Sequence, residues 1–265
     1  MELLEKGFEP FYYRFPYNVD VIVCAAYEST SKLLACVRTL RSQYMYNTNN
    51  SIRLVLVYGD GVDIDTVGKM FDLVIPENEL CRVYKLPRGK LTARHIAYML
   101  SDADIVVSAD ADCLYPPAWL SWLLKPYLEE ENVVATHSWS INIGDDIWKL
   151  IDLFPPLLDF SHIYYRCVIS ARTSSMKREA YFQIGGFDLT KQGNIAELWY
   201  EEEHNLLRRL KKIGKVIYVE EAYCIEYNDP DELKKRGLRK TTKSWKSLSE
   251  KFISALRMWL ENILS

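Results

Sequence analysis

Short apolar runs alternate with segments of helical spacing, and this alternation restricts the fold more than any other feature of the chain. Runs rich in β-branched residues lie at 19–25, 52–58 and 105–109, and segments of helical spacing lie at 33–43, 91–100 and 118–128. Strands that alternate with helices in this way form βαβ units with a parallel sheet covered on both faces. We therefore predict an α/β fold with a mostly parallel central sheet flanked by helices.

The second half of the chain is less regular but continues the same mixture of elements. We expect a strand at 132–139, a short strand and helix within 174–184, a helix at 201–213 and one or two strands within 215–227, in addition to a short third strand of the first half at 82–86. The helix at 201–213 is the clearest of these, because acidic residues begin it, basic residues end it and Gly214 follows.

The last 35 residues differ from the rest in charge and periodicity. Residues 231–265 contain nine Lys or Arg and four Asp or Glu, a local charge of +5 that leaves −8 on the first 230 residues. Their apolar residues recur every three or four positions, which predicts a basic amphipathic helix. Such a helix lies on an anionic membrane, or packs on the folded domain or on a second subunit of a homo-oligomer. The sequence thus divides into a domain at 1–230 and a tail at 231–265.

Overall charge and cysteine usage restrict the partners and the compartment. The net charge of −3 and the pI of about 5.9 give no reason to expect a nucleic-acid partner. The six cysteines are scattered without a C-x-x-C pair, as expected in a reducing compartment. No run of 18 apolar residues occurs, and the N-terminus lacks the apolar stretch of a signal peptide. We expect a cytoplasmic protein, peripheral at the membrane if the tail binds lipid.

The tripeptide Asp-Ala-Asp occurs twice, once on each side of the strand at 105–109. Asp102 and Asp104 precede this strand, and Asp110 and Asp112 follow it. In open α/β sheets ligands bind beyond the carboxyl ends of the strands, which favours the second pair as a site for a divalent cation. The alternative is turn chemistry before Pro116, since Asp is common in turns and about one D-x-D pattern is expected by chance among 16 Asp in 265 residues.

Five segments, taken in order, resemble a known family. VDVIVCAAYEST, LVLVYGDG, RGKLTARHIAYMLSDADIVVSADADCLYPPAWL, SSMKREAYFQIGGFD and EEEHNLLRRLKKIGKVIYVEEA are similar to segments of the inverting GT-A glycosyltransferases of glycosyltransferase family 2. The resemblance implies a GT-A, Rossmann-like catalytic domain within 1–230. Its nucleotide-sugar half would cover about 18–130 and its acceptor half about 131–230.

The resemblance also implies roles for individual residues. The family's metal-binding D-x-D corresponds to Asp110 and Asp112, and its catalytic base to Glu203, with Glu202 beside it. The remaining implied contacts are with the donor or the acceptor, and they correspond to Tyr27, Asp60, Lys90, Arg94, Asp110, Gly186 and Asp188. The implied cofactor is Mn²⁺ or Mg²⁺, which would neutralise the diphosphate as the sugar departs.

The implied reaction moves a sugar from a UDP- or GDP-linked donor to a hydroxyl of a glycan, lipid or protein acceptor, with inversion. Several positions depart from the family pattern. The first strand ends in Ala26-Tyr27-Glu28 rather than proline with a Tyr-Asn pair, Glu stands at the base position where Asp is usual, and Glu226 or Tyr227 replaces a common His. These departures keep open an alternative, a nucleotide-sugar-binding protein that has the fold without the activity. Retention also stays open, because the stereochemical outcome depends on a geometry that the sequence does not show.

Overall fold

A computed structural model describes residues 15–26, 28–43, 51–143, 165–166, 168–191 and 196–227. The tail at 231–265 and Tyr27 lie outside these residues, so the predictions made for them stay predictions. Within the described residues, no helix is both long enough and apolar enough to cross a membrane.

A seven-stranded sheet forms the centre of the fold. In chain order its strands are β1 (Val19–Ala25), β2 (Ile52–Tyr58), β3 (Leu73–Pro76), β4 (Ile105–Asp110), β6 (Val133–His137), β8 (Thr173–Lys177) and β9 (Lys215–Tyr218). The spatial order is β3-β2-β1-β4-β8-β6-β9. β8 runs antiparallel to both of its neighbours, while every other pairing in this sheet is parallel. The predicted mostly parallel sheet is therefore confirmed.

A smaller sheet lies at the carboxyl end of β4. It contains β5 (Cys113–Leu114), β7 (Ser140–Ile143) and β10 (Cys224–Tyr227), with β10 in the middle. β10 is antiparallel to β5, with Glu226 opposite Cys113. β10 therefore lies beside the residues that follow β4.

Helices cover both faces of the large sheet. They are α1 (Thr30–Arg41), α2 (Ile64–Val67), α3 (Glu77–Tyr84), α4 (Lys90–Leu100), α5 (Trp119–Leu124), α6 (Pro126–Glu129), α7 (Arg178–Gln183) and α8 (Ala196–Leu210). Successive side chains of each strand point to opposite faces of the sheet, so the core has two parts. Val21 and Val23 of β1 lie in one apolar cluster and Ile22 lies in the other. β1 is buried on both faces, and its sequence VDVIVCA is apolar at every position except Asp20, whose carboxylate pairs with Arg53.

One predicted strand is wrong. Residues 82–86 were expected to be extended, but Arg82 lies in the last turn of α3, and the third strand is β3, at 73–76. β3 is short, at the edge of the sheet, and its Leu73 and Val74 are each 38% exposed, so its sequence lacks the long apolar run of a central strand. Residues 82–84 instead form the end of α3, which is amphipathic, and Lys85 caps this helix. A helical period cannot be recognised over five residues.

Candidate functional site

Three cationic side chains surround the carboxylate of Asp110 at the end of β4. Arg94 of α4, which is 1% exposed, donates to Oδ1, and Lys90 Nζ lies 2.5 Å from Oδ2. Arg172 Nε lies 3.8 Å from the same Oδ2. Burial alone would raise the pKa of Asp110, but Lys90, Arg94 and Arg172 outweigh it and hold that pKa below its ordinary value. Asp110 therefore stays ionised and anchors a cationic cluster.

The helix α4 places two of these cations by its own geometry. Lys90 is its first residue and Arg94 follows one turn later, so both point to the same face. Gly89 precedes the helix with φ of 143°, a conformation that side chains rarely adopt. Arg94 is held further by its Nε, which donates to Ser108 Oγ at 2.9 Å.

Asp112 lies two residues beyond Asp110 in a different electrostatic environment. Burial, and then the neighbouring charges of Asp110 and Glu226, raise the pKa of Asp112 from 3.8 to about 6. Its Oδ1 accepts a weak hydrogen bond from Cys113 Sγ at 3.8 Å. The ionised form of Asp112 would therefore be stabilised by a cation bound close to it.

Glu226 of β10 completes this acidic side of the site. Its Oε1 lies 3.2 Å from Arg172 Nη2, and its Oε2 is buried with no hydrogen-bond partner among the described residues. Within those same residues, however, no three acidic, His or Cys groups come close enough together to hold a metal ion by themselves. A cation here would need oxygens from a substrate as well as from Asp112.

Arg172 was not identified from the sequence. It immediately precedes β8, and because β8 runs antiparallel to β4, Thr173 lies opposite Ala109 at the edge where β4 ends. The backbone carbonyl of Arg172 accepts a hydrogen bond of 3.0 Å from the Tyr115 hydroxyl, which fixes this corner. No local pattern marks this position, since neither the direction of β8 nor its place beside β4 can be inferred from periodicity.

Glu203 and Glu202 on α8 have different environments. Glu203 Oε1 accepts from the backbone N–H of Ala171 at 3.2 Å. Burial raises the pKa of Glu203, although Arg172 and Arg94 partly offset that effect, so its carboxylate is electrostatically coupled to the cluster at Asp110. Glu202 is fully buried and is engaged elsewhere, with Oε1 accepting from Arg209 Nη2 and from the N–H of Asp188, both at 2.7 Å.

The glycine pair before Asp188 forms a turn that this second network holds in place. Gly185 and Gly186 have φ of 84° and 68°, in the left-handed region that favours glycine. Arg209 Nη1 donates to the carbonyl of Gly186 at 2.6 Å, and the Asp188 carboxylate accepts from Thr190 Oγ1 at 2.6 Å. Gly186 and Asp188 therefore lie in a structured turn next to Glu202.

Asp60 lies in the loop after β2. It accepts hydrogen bonds from the Asn78 side chain and, at 3.4 Å, from Arg88 Nη2. Gly59 N donates to Ala25 O at 2.9 Å, which brings the ends of β1 and β2 together. Asp60 is thus at the same sheet edge as Asp110, as the sequence predicts.

The first Asp-Ala-Asp lies at the opposite edge of the sheet. Asp102 is paired with Arg53, and Asp104 Oδ2 accepts from the backbone N–H of Asn18 at 2.9 Å. All six residues of β4 separate this pair from Asp112. Both groups contact residues at the amino-terminal edge of the sheet.

Comparison with known proteins identifies the family. The family model for glycosyl transferase family 2 matches residues 20–199, more than half of the chain. No curated protein matches. The similar solved structures include the mannosyltransferase PcManGT from Pyrobaculum calidifontis with GDP-Man and Mn²⁺, which is 17% identical with a TM-score of 0.58 over 99% of this chain and 69% of that chain.

Two further structures show the same likeness. Glucosyl-3-phosphoglycerate synthase from Mycobacterium tuberculosis, in complex with Mn²⁺, UDP-glucose and phosphoglyceric acid, is 19% identical with a TM-score of 0.54, covering 82% of this chain and 75% of that chain. GalNAc-T7 with UDP, GalNAc and Mn²⁺ is 14% identical with a TM-score of 0.57, covering 82% and 45%. At these identities the likeness establishes the fold. The predicted GT-A fold and glycosyltransferase class are confirmed, and the chain belongs to glycosyl transferase family 2.

Proposed function

We propose that this chain transfers a sugar from a nucleoside-diphospho-sugar to an acceptor hydroxyl, with inversion at the anomeric carbon. The observation that carries the proposal is the cationic cluster of Lys90, Arg94 and Arg172 around Asp110 at the carboxyl edge of the sheet. When the bond to the sugar breaks, the departing diphosphate gains negative charge. Preorganised cations in a partly buried site stabilise that charge as it develops.

Each cation has a distinct part in this arrangement. Arg94 is fully buried and fixes Asp110, while the side chain of Lys90 is 36% exposed and that of Arg172 27% exposed. Lys90 and Arg172 can therefore reach a diphosphate without leaving the cluster. Arg172 joins Lys90 as a proposed contact of the leaving group, a role that the family resemblance did not assign to it.

The acidic side of the site fits a divalent cation. Asp112 would hold it, with Asp110 nearby. The buried Oε2 of Glu226, which has no hydrogen-bond partner within the described part of the chain, faces the same corner. When bound with a diphosphate, Mn²⁺ or Mg²⁺ supplies Lewis-acid stabilisation of the leaving group. Two similar structures contain Mn²⁺ with a nucleotide sugar, and another contains Mg²⁺ with UDP. Because Lys90 and Arg94 occupy both oxygens of Asp110, Asp112 is the principal protein ligand in this proposal.

Glu203 is the proposed general base. A carboxylate whose pKa is raised accepts a proton more readily than an ordinary one, and the pKa of Glu203 is raised by burial. Glu202, which the family resemblance placed beside it, accepts hydrogen bonds from Arg209 and from the backbone N–H of Asp188. We therefore propose Glu202 as a positioning residue that holds the turn at Gly186, and Glu203 as the residue that takes the proton of the acceptor hydroxyl.

The acceptor is proposed as a hydroxyl of a glycan, lipid or protein. The similar synthase was solved with phosphoglyceric acid, so acceptors of that size also belong to the test set. A membrane contact through 231–265 and a homo-oligomer remain predictions from the sequence alone.

The test is release of the nucleoside diphosphate from GDP-mannose and UDP-glucose with Mn²⁺, in the presence of candidate acceptors. Asp112→Asn should lower the rate by about 100-fold or more, since several kcal/mol of transition-state stabilisation depend on the cation that it holds. Asp104→Asn, the matched control in the other Asp-Ala-Asp, should keep the wild-type rate. Full activity of Asp112→Asn would overturn the site assignment. Binding of nucleotide sugar without any release by the wild type would instead favour the inactive binding protein.

A further inference from the structure

The backbone pairing of β4 with β8 ends at Ala109 and Thr173, at the edge where the site lies. In this antiparallel register Asp110 and Arg172 are opposite each other and would form the next pair. The hydroxyl of Tyr115 lies between them instead. It accepts from the Asp110 N–H at 2.8 Å and donates to the Arg172 carbonyl at 3.0 Å, which is nearer than the Asp110 carbonyl at 3.3 Å. One side-chain hydroxyl thus takes the place of a direct backbone hydrogen bond.

The inserted hydroxyl widens the gap between the two strands at this point. A direct N–H···O=C bond joins its two heavy atoms over about 2.9 Å, whereas the path through Tyr115 contains two such distances in sequence. Residues opposite each other share a face of the sheet, so the side chains of Asp110 and Arg172 still meet. Arg172 Nε is 3.8 Å from Asp110 Oδ2, however, while Lys90 Nζ is 2.5 Å from the same atom. Arg172 is therefore held beside Asp110 without a short ion pair.

Tyr115 is itself firmly held. It is 2% exposed, its backbone N–H donates to Thr39 Oγ1 at 3.1 Å, and its ring centroid lies 4.2 Å from that of Trp119. Trp119 Nε1 in turn donates to Thr173 Oγ1 at 2.7 Å, so the start of β8 is tied to the same aromatic pair. Burial raises the pKa of Tyr115 well above its ordinary value, and the hydroxyl keeps the proton that it donates.

The remaining contacts of the Arg172 side chain are also long. Its Nη2 lies 3.2 Å from Glu226 Oε1, and its Nη1 donates to the Tyr165 hydroxyl at 3.4 Å. A charged N–H···O bond is normally about 2.7–2.9 Å long, so each contact of this guanidinium is weaker than the bond that a phosphate oxygen would offer. Because 27% of the side chain is exposed, the guanidinium can exchange these contacts for shorter ones to a diphosphate.

We propose that Tyr115 is a positioning residue for the leaving group. Its hydroxyl keeps β4 and β8 apart at Asp110 and Arg172, and the Arg172 guanidinium thereby stays available to the diphosphate. Without the hydroxyl, the Asp110 N–H and the Arg172 carbonyl can pair directly, and Arg172 closes on the Asp110 carboxylate. The proposal rests on the proposed function, in which Arg172 contacts the departing diphosphate.

The test is calorimetric titration of the full chain with GDP and with UDP in the presence of Mn²⁺, below the melting temperature of every variant. Tyr115→Phe removes only the hydroxyl, and it should lower the affinity for the nucleotide that the wild type binds by about tenfold, the size of one charged hydrogen bond. Tyr127→Phe is the matched control, because Tyr127 is 6% exposed and its hydroxyl lies 3.0 Å from Ser175 Oγ, in the middle of β8. It also loses a buried hydrogen bond, but its nucleotide affinity should be unchanged.

A double-mutant cycle with Arg172 separates positioning from a general structural role. Arg172→Gln alone should lower the affinity by about tenfold, for the same charged hydrogen bond. The double variant Tyr115→Phe/Arg172→Gln should lose no more than about threefold beyond Arg172→Gln, because Tyr115 acts through a side chain that is then absent. A structural effect on the whole domain would not depend on Arg172, and the two losses would multiply.

Three results would overturn the proposal and leave the proposed function standing. They are wild-type affinity in Tyr115→Phe, an equal loss in Tyr127→Phe, and multiplied losses in the double variant. If Tyr115→Phe does not fold, Thr39→Val decides, since it removes the acceptor of the Tyr115 N–H. It should lower the affinity by about threefold, the size of one neutral hydrogen bond, and an unchanged affinity would overturn the proposal. Failure of the wild type to bind either nucleotide would overturn this proposal and the proposed function together.

Discussion

Arg94 and Asp110 form an ion pair in which the two side chains are 1% and 3% exposed. The electrostatic attraction within such a pair offsets the cost of removing both charges from water only while both partners are present. The finding links the site to the stability of the whole domain, because Asp110 ends the central strand β4 and Arg94 lies on the helix that covers it.

Arg94→Met should therefore lower the free energy of unfolding by about 1–3 kcal/mol, because Asp110 loses its buried partner but stays paired with Lys90 and close to Arg172. Urea denaturation measures the change. The double variant Arg94→Met/Asp110→Asn is the control, and it should recover part of the loss because the buried carboxylate that Arg94 neutralises is then absent. A double variant as unstable as the sum of both single variants would show that the charge pairing is not the cause.

Glu203→Gln should lower kcat by about 100-fold to 10,000-fold, the range for removing a general base, and leave the fold intact. Glu202→Gln should instead lower the free energy of unfolding by about 2–3 kcal/mol, since it weakens charged hydrogen bonds to Arg209 and the Asp188 N–H. Steady-state kinetics and denaturation on both variants separate the two roles. The reverse pattern would assign the base to Glu202.

Asp112 should make the metal-free protein less stable as pH rises through the acidic range. Its pKa is raised from 3.8 to about 6 in the folded state, so between these values the folded chain binds more proton than the unfolded chain. Stability from this residue is then present below pH 4 and is lost as pH rises to about 6.

The measurement is denaturant unfolding at several pH values between 4 and 6 without divalent cations, for wild type and Asp112→Asn. The difference between the two curves isolates Asp112 from the other carboxylates. A difference that is flat with pH would contradict the raised pKa.

Gly186→Ala should destabilise the turn more than Gly185→Ala. Both glycines have positive φ, so both substitutions carry backbone strain, but a Cβ at Gly186 would lie 3.0 Å from the Tyr181 ring, while nothing lies within 4 Å of one at Gly185. We expect about 1 kcal/mol for Gly185→Ala and about 1–3 kcal/mol more for Gly186→Ala. Thermal melts compare them, and equal losses would mean that the Tyr181 ring moves aside without cost.

Local periodicity was enough to predict most of the elements within residues 18–130. The strands at 19–25 and 52–58 have the bounds that the sequence predicts, because strands buried on both faces carry a mostly apolar run, interrupted here only by Asp20 and Arg53. The edge strand Leu73–Pro76 could not be found in the same way, since an exposed edge requires no such run. The position of Asp110 and Asp112 at the carboxyl end of β4 also followed from the sequence, once that strand was placed.

The sequence by itself determined the α/β class, the ligand edge of the sheet and the acidic pair that lies there. Only the tertiary structure decided that Arg172 joins Lys90 and Arg94, because β8 runs antiparallel beside β4 and brings residue 172 to that edge. The tertiary structure also distinguishes the environments of Glu202 and Glu203, which are adjacent in sequence. Glu202 contacts Arg209 and the Asp188 N–H, whereas Glu203 contacts the Ala171 N–H. Side chains one residue apart on a helix point about 100° apart, and only the packing around the helix fixes what each of them meets.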